Sequence, residues 1–306
     1  MIIKESPLVQ MAAEARRPTP WWLGWIIAFG VGVAGMQLVW AGPMAAIGAA
    51  SGTPVSQVFE LLISASTIAV VFLWVRFKEQ RPISSIGFRG SRGIAKLLLG
   101  IVLGVVMFLV PTGLLLLTGQ YRIVPTPSGS SGGLGALPLV AALVLVWIVQ
   151  ASAEEVVMRG YLLQTHALQL PGWLAIVITS VGFAVAHLGA GPIALVNIAL
   201  VACFWSFLSL RQGSIWLACG MHAGWNFTQG NILGIPVSGH PYTNALVFMQ
   251  PTPGSSDWLT GGTFGIEQSF AATVLLAILA VWAFFSLRSA RSSGRTDAAV
   301  EPAVEA

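Results

Sequence analysis

Eight apolar runs, at roughly residues 21–41, 57–75, 97–118, 137–163, 173–189, 192–210, 214–233 and 268–287, leave this chain few folds to choose from. A hydrocarbon layer of about 30 Å is crossed by about 20 apolar residues in a helix. Within that layer a backbone can satisfy its own hydrogen bonds only as a helix or a closed barrel, and runs this long and continuous are helices. The pattern predicts an all-α polytopic membrane protein with about eight transmembrane helices. Composition agrees, since only 8% of the 306 residues are charged and 56% are hydrophobic, against about 25% charged in soluble domains. The first run is followed by no small-residue cleavage site, so it is expected to stay as a helix and not to be removed as a signal peptide.

The basic residues sort between the runs. Arg16 and Arg17 precede the first; Arg76, Lys78, Arg81, Arg89, Arg92 and Lys96 separate the second from the third; Arg211 follows the sixth, and Arg288, Arg291 and Arg295 follow the eighth. With eight helices these segments share one side, which the positive-inside rule makes cytoplasmic, so both termini are expected there. The net charge of +4 therefore reports orientation, and no nucleic-acid partner is expected. Residues 1–20 form a polar N-terminal segment and 289–306 a flexible C-terminal tail, each too poor in apolar residues to fold alone. The transmembrane domain spans 21–288. Residues 119–136, rich in Gly and Ser, are expected to be a flexible external loop; the longer external stretch 235–267 ends on a glycine cluster before Glu267, whose role the sequence leaves open. Cys203 and Cys219 lack metal or disulfide spacing and are expected to be small buried hydrophobes.

One run carries charge where lipid is expected: "SAEEVVMRGY", residues 152–161, at the end of the fourth. Residues four apart share a helix face while adjacent ones diverge by about 100°, so Glu155 pairs with Arg159 and Glu154 points elsewhere. The same rule sets Phe183 over His187 and His222 over Asn226. Pro171-Gly172 makes a turn that lets antiparallel helices bring Glu154 and His187 level. His222 follows the Gln212-Gly213 turn by only nine residues, which requires a tilted helix or a sunken turn. An ionised carboxylate costs at least about 2.5 kcal/mol in hydrocarbon, so these residues are expected to face a polar intramembrane cavity. There a desolvated Glu154 suits a general base, and neutral imidazoles can hydrogen-bond water or an oxyanion. His166 and His240 match no partner and are expected at interfaces or in loops; Glu60 is expected to be solvated at the outer end of the second helix.

The chain has no HExxH motif, and its only aspartates, Asp257 and Asp297, lie outside the runs, which excludes a zinc site-2-type protease and an intramembrane aspartyl dyad. The ordered set "EEVVMR", "FAVAH" and "HAGWN" resembles the EExxxR, FxxxH and HxxxN motifs of the CAAX prenyl protease and bacteriocin-processing (CPBP, or Abi) intramembrane proteases, over roughly residues 137–231. The resemblance implies an intramembrane endopeptidase acting near the cytoplasmic face. Glu154 would activate water with His187, Glu155 would hold Arg159, and His222 with Asn226 would form the oxyanion hole. It also raises a zinc alternative in which Glu154, His187 and His222 are ligands; a metal-free mechanism is preferred because no carboxylate is evident to orient either histidine. The substrate implied is a peptide or protein, membrane-anchored or prenylated, cut at a C-terminal tripeptide or within a leader or transmembrane segment. Two other classes are compatible with these residues: a non-enzymatic scaffold or immunity protein that binds a partner in the cavity, and, less favoured, a proton-coupled transporter.

Overall fold

A computed structural model describes residues 3–187 and 189–298, with backbone alone for 290–298. Each apolar run is helical. Helices α1 (Trp21–Ala46), α2 (Pro54–Lys78), α3 (Gly93–Leu117), α4 (Leu134–Gln169), α6 (Pro192–Gln212) and α8 (Phe270–Ala298) are long and apolar enough to cross a membrane, α8 over Phe270–Ser289. The other two are shorter than expected. Helix α5 (Gly172–Val185) has 14 residues, about 21 Å at 1.5 Å per residue. Helix α7 (Trp216–Phe227) has 12 residues, followed by a wider π-type turn over Thr228–Ile232. The outward faces carry exposed Leu98, Val102, Val106 and Val110 on α3 and Val274, Ile278 and Val281 on α8, as lipid contact requires. The chain is an all-α integral membrane protein.

Helix α5 stops early for a local reason. Gly189 adopts φ +113°, which an L side chain rarely tolerates, and Gly191-Pro192 starts α6 with proline in its first turn. Ala186, His187, Gly189, Ala190 and Gly191 line the central cavity outside any regular helix, the one setting in which non-helical backbone is tolerated at such depth. The turn before α7 is buried beneath other parts of the chain. Ser214 and Ile215 are buried, the Ile215 N–H donates to the Gly87 carbonyl at 3.1 Å, and a Cβ on Gly213 would touch Pro7.

The cover over this turn is the N-terminal segment, which is docked and not a mobile end. Its short helical turns, Ile3–Glu5, Pro7–Gln10 and Met11–Glu14, bury Ile3, Leu8, Val9 and Met11. Ser6 Oγ donates to the Leu210 carbonyl at 2.7 Å, and Arg16 N–H donates to the Glu79 carbonyl at 3.0 Å. The segment cannot fold alone, but the bundle end supplies an apolar surface for it. Nearby, buried Arg81 pairs with Glu79 at 2.7 Å and donates to Gln164 Oε1 at 2.9 Å, tying the α2–α3 connection to α4. The expected C-terminal tail begins as a continuation of α8 as far as Ala298; residues 299–306 lie outside the described residues.

At the opposite end the expected flexible loop is partly structured. Strand β1 (Tyr121–Val124) pairs antiparallel with β2 (Phe248–Pro251), with Tyr121 opposite Pro251, and the Tyr121 hydroxyl donates to the Thr260 carbonyl at 3.0 Å. A partner strand more than a hundred residues away converts a Gly/Ser-rich loop into a fixed rim.

Helix α7 is placed by its contact with α3. Both carry a Gly-x-x-x-Gly pair, Gly100/Gly104 and Gly220/Gly224. A Cβ at Gly104 would strike the Met221 carbonyl, one at Gly220 the Leu97 carbonyl, and one at Gly224 the Ile101 carbonyl. Without a hydrophobic drive between helices in lipid, such close backbone approach is how they associate. His222 sits between these two glycines.

Candidate active site

A cavity of about 880 Å³ runs through the bundle and is lined by every long helix except α3, by α5 and α7, and by the 235–268 segment. Glu154, His187, His222 and Asn226 all line it. Arg159 and Glu155 lie behind the wall, both almost wholly buried.

Glu154 and Glu155 diverge as the helical angle requires. Glu155 Oε1 accepts from Arg159 Nη1 at 2.9 Å and from His222 Nδ1 at 3.0 Å. Glu154 faces the cavity with its side chain about one-third exposed, and its Oε2 stands 3.5 Å from His222 Nε2. The π-type turn over Val156–Leu162 begins immediately after this pair; such turns often mark functional positions in helices.

Two hydrogen bonds fix the histidine tautomers. A carboxylate can only accept, so the His222 proton toward Glu155 is on Nδ1, leaving Nε2 to face Glu154. His187 lies just beyond the end of α5, where its Nδ1–H donates to the Phe183 carbonyl at 2.8 Å and caps the helix terminus. Its Nε2 is thereby an acceptor available to the cavity. The Phe183 and His187 rings meet edge to face at 5.0 Å between centroids.

Two residues that the sequence reading passed over, and Glu267, whose role it left open, complete the arrangement. Gln150 Nε2 donates to Glu154 Oε1 at 2.6 Å, and Gln150 Oε1 accepts from Asn226 Nδ2 at 3.1 Å. One amide thus ties the carboxylate on α4 to the asparagine on α7. Trp205, on α6, stacks on the His222 ring at 4.4 Å and 22°. The Arg159 guanidinium lies over both Phe183, at 5.0 Å, and Trp205, at 5.3 Å. Glu267 also lines the cavity, where its Oε2 accepts from the backbone N–H of Ser238 at 2.6 Å and from the Ser238 hydroxyl at 3.1 Å. Gln150 was legible, being four residues before Glu154; Trp205 and Glu267 carry no spacing signal.

Two expectations need correction. Glu60 is not at a solvated helix end: it lines the cavity, 3.5 Å from the Tyr242 hydroxyl, because the 235–267 segment folds over it. His240 is exposed in the irregular 235–267 segment, as expected of a loop residue, and it lines the cavity as well. His166 is fully buried, its Nε2 accepting from Trp25 Nε1 at 2.7 Å and its Nδ1 bonded to the Leu162 carbonyl at 2.7 Å, so it joins α1 to α4.

The metal question also shifts. The orienting carboxylate that the sequence did not reveal is Glu155, on His222 Nδ1, and both imidazoles present Nε2 to the cavity as zinc-ligand histidines do. Even so, among the described residues no three His, Cys, Asp or Glu side chains converge closely enough to hold a metal ion. The donor set does not fit a three-ligand zinc centre, and no step below runs through one.

No curated protein and no solved structure matches the chain significantly. Residues 136–228 match the family model described as Rce1-like, type II CAAX prenyl endopeptidase Rce1-like. The matched stretch runs from the start of α4 to the end of α7 and contains all three motifs and the side chains that converge on Glu154. The segment that builds this site is thus similar to the Rce1-like type II CAAX prenyl endopeptidases.

Proposed function

We propose that the chain is an intramembrane endopeptidase that hydrolyses a peptide bond with water activated by Glu154 and His187. The observation that carries this reading is a carboxylate in a polar cavity inside the bundle, with an imidazole acceptor, an imidazole donor site and an amide on the same wall. Water donates one hydrogen to His187 Nε2 and loses the other to Glu154 as its oxygen attacks the carbonyl carbon. The oxyanion is met by Asn226 Nδ2, whose second N–H is not engaged by Gln150. His222 joins as a donor only when Nε2 is protonated, because its Nδ1–H is committed to Glu155. When the carbon–nitrogen bond breaks, protonated Glu154 returns its proton to the departing amine.

The decisive assay uses purified full-length protein in liposomes with a panel of quenched fluorescent peptides, before and after stripping by a strong chelator, with zinc content measured. Cleavage is expected to persist at negligible zinc. Cleavage that disappears and is restored by zinc would transfer the roles of His187 and His222 to metal ligation. A wild-type protein that cleaves no peptide and whose cells show no new protein termini would end the endopeptidase reading.

We also infer that the bundle end covered by the N-terminal segment is cytoplasmic. The loops bearing Arg16, Arg17, Lys78 and Arg81 meet there; the Lys78 ammonium, for example, donates to the Arg17 carbonyl at 3.1 Å, and that clustering is what the positive-inside rule reads. Single cysteines at positions 80–95 should resist an impermeant thiol reagent added to intact cells; labelling there would invert the topology.

A further inference from the structure

The charge balance of the cavity is one-sided. Glu60, Glu154 and Glu267 line it, and no Lys or Arg does among the described residues. Glu154 has Gln150 and His222 beside it, and Glu267 has the Ser238 donors. Among the described residues Glu60 has only the Tyr242 hydroxyl, at 3.5 Å to either oxygen. Tyr242 is in electrostatic reach of all three: burial, then the charges of Glu60, Glu267 and Glu154, push its phenol well above the usual range. Burial likewise raises the Glu267 carboxyl, opposed by the Ser238 hydrogen bonds and by His187 and His222.

A second observation points to a missing donor. Asn197 lines the same cavity and is only 1% exposed. Its Nδ2 donates to the backbone carbonyls of Glu267 at 2.7 Å and Ser269 at 3.1 Å, which fixes the amide orientation. Its Oδ1 is buried and has no hydrogen-bond partner among the described residues. Buried polar atoms in native proteins are normally satisfied. An orphan acceptor on the wall of a cavity that carboxylates also line calls for a ligand with N–H donors.

We propose that the part of the cavity between Glu60 and Glu267 is a subsite for a positively charged group of the substrate, an ammonium or guanidinium. The peptide would then be cut at an internal bond near a basic residue and not just before a free C-terminal carboxylate. The proposal rests on the endopeptidase reading for the word substrate, but the subsite itself does not. A free carboxylate drawn into this cavity would meet three acidic side chains at reduced dielectric, whereas a cation would favour their ionised forms and pair with them.

The test uses otherwise uncharged peptides of one length carrying a single Lys, norleucine or Glu at each successive position, with amidated or free C-termini. In wild-type protein, at one position the Lys peptide is expected to exceed the norleucine peptide at least tenfold in kcat/KM, with Glu below both. Where the scissile bond is three residues from the end, the amide should be cut faster than the free acid. In Glu60→Gln and in Glu267→Gln the Lys-to-norleucine ratio should fall toward one, whatever happens to the absolute rate. A ratio near one at every position in the wild type, or a preference for the free acid, overturns the proposal without any variant needing to fold. If no peptide is cleaved, equilibrium binding of the Lys and norleucine peptides, labelled with a fluorophore, decides in its place. A Lys preference lost in the two variants would then sustain the subsite while the endopeptidase reading fails, and equal binding would remove the subsite as well.

Discussion

Glu154→Gln is expected to lower peptide hydrolysis about 1000-fold or more while leaving the protein folded. The glutamine is isosteric, its carbonyl can still accept from Gln150 Nε2, and the position is about one-third exposed to the cavity, so little packing is lost. In the proposed mechanism, what disappears is the basicity that would deprotonate water and later protonate the departing amine. Positioned general acid–base groups contribute roughly 100- to 10,000-fold each, and this residue serves in both directions. His187→Ala should fall nearly as far, since its Nε2 is the second acceptor for the attacking water. Asn226→Ala should cost less, about 100- to 1000-fold, as for loss of one oxyanion donor. Initial rates on one quenched peptide, paired with thermal unfolding of each variant, separate these effects. A Glu154→Gln protein that cleaves at the wild-type rate would move the base to another residue, with Glu267 the next carboxylate in the same cavity.

How far the chain could be read from its sequence depends on how local each interaction is. The Glu155–Arg159 pair and the Phe183–His187 contact each lie within one helical turn, where 3.6-residue periodicity dictates which side chains meet, and both are present. The separation of Glu154 from Glu155 follows from the same angle. The Glu155–His222 bond joins α4 to α7, and no spacing rule reaches across that gap, so Glu155 was read as a partner of Arg159 alone. Glu60 was misplaced because depth along α2 says nothing about the 235–267 segment that closes over it. The docked N-terminal segment has too few apolar residues to announce a fold, yet Ile3, Leu8 and Val9 suffice once the bundle end offers them a surface. The glycine pairs on α3 and α7 were legible as close-packing signals, and the depth of the α7 turn explains why a helix of 12 residues can still bring His222 level with Glu154.

Arg159→Ala and Glu155→Gln are expected to be the most damaging single changes to the fold itself. The ion pair is buried, with side-chain exposure of 2% and 0%. Removing one partner strands the other charge, at about 3–5 kcal/mol, which for a chain of this size lowers the melting temperature on the order of 10 °C. Activity should be lost too, for a geometric reason. The Arg159 guanidinium touches the Phe183 and Trp205 rings, which in turn flank His187 and His222, so one side chain sets the posture of both imidazoles. Arg159→Lys keeps the charge but has no planar face to lay on two rings, and it should recover part of the stability with little of the rate. The paired replacement Glu155→Leu with Arg159→Met separates the two roles: an apolar pair of similar volume is often as stable as a buried ion pair, whereas His222 Nδ1 would have no acceptor to fix its tautomer. That double variant should therefore melt near the wild-type temperature and remain inactive. Full activity in it would reduce Glu155 and Arg159 to packing, and a Glu155→Gln protein of wild-type stability that is merely slow would exchange the roles assigned to the two glutamates.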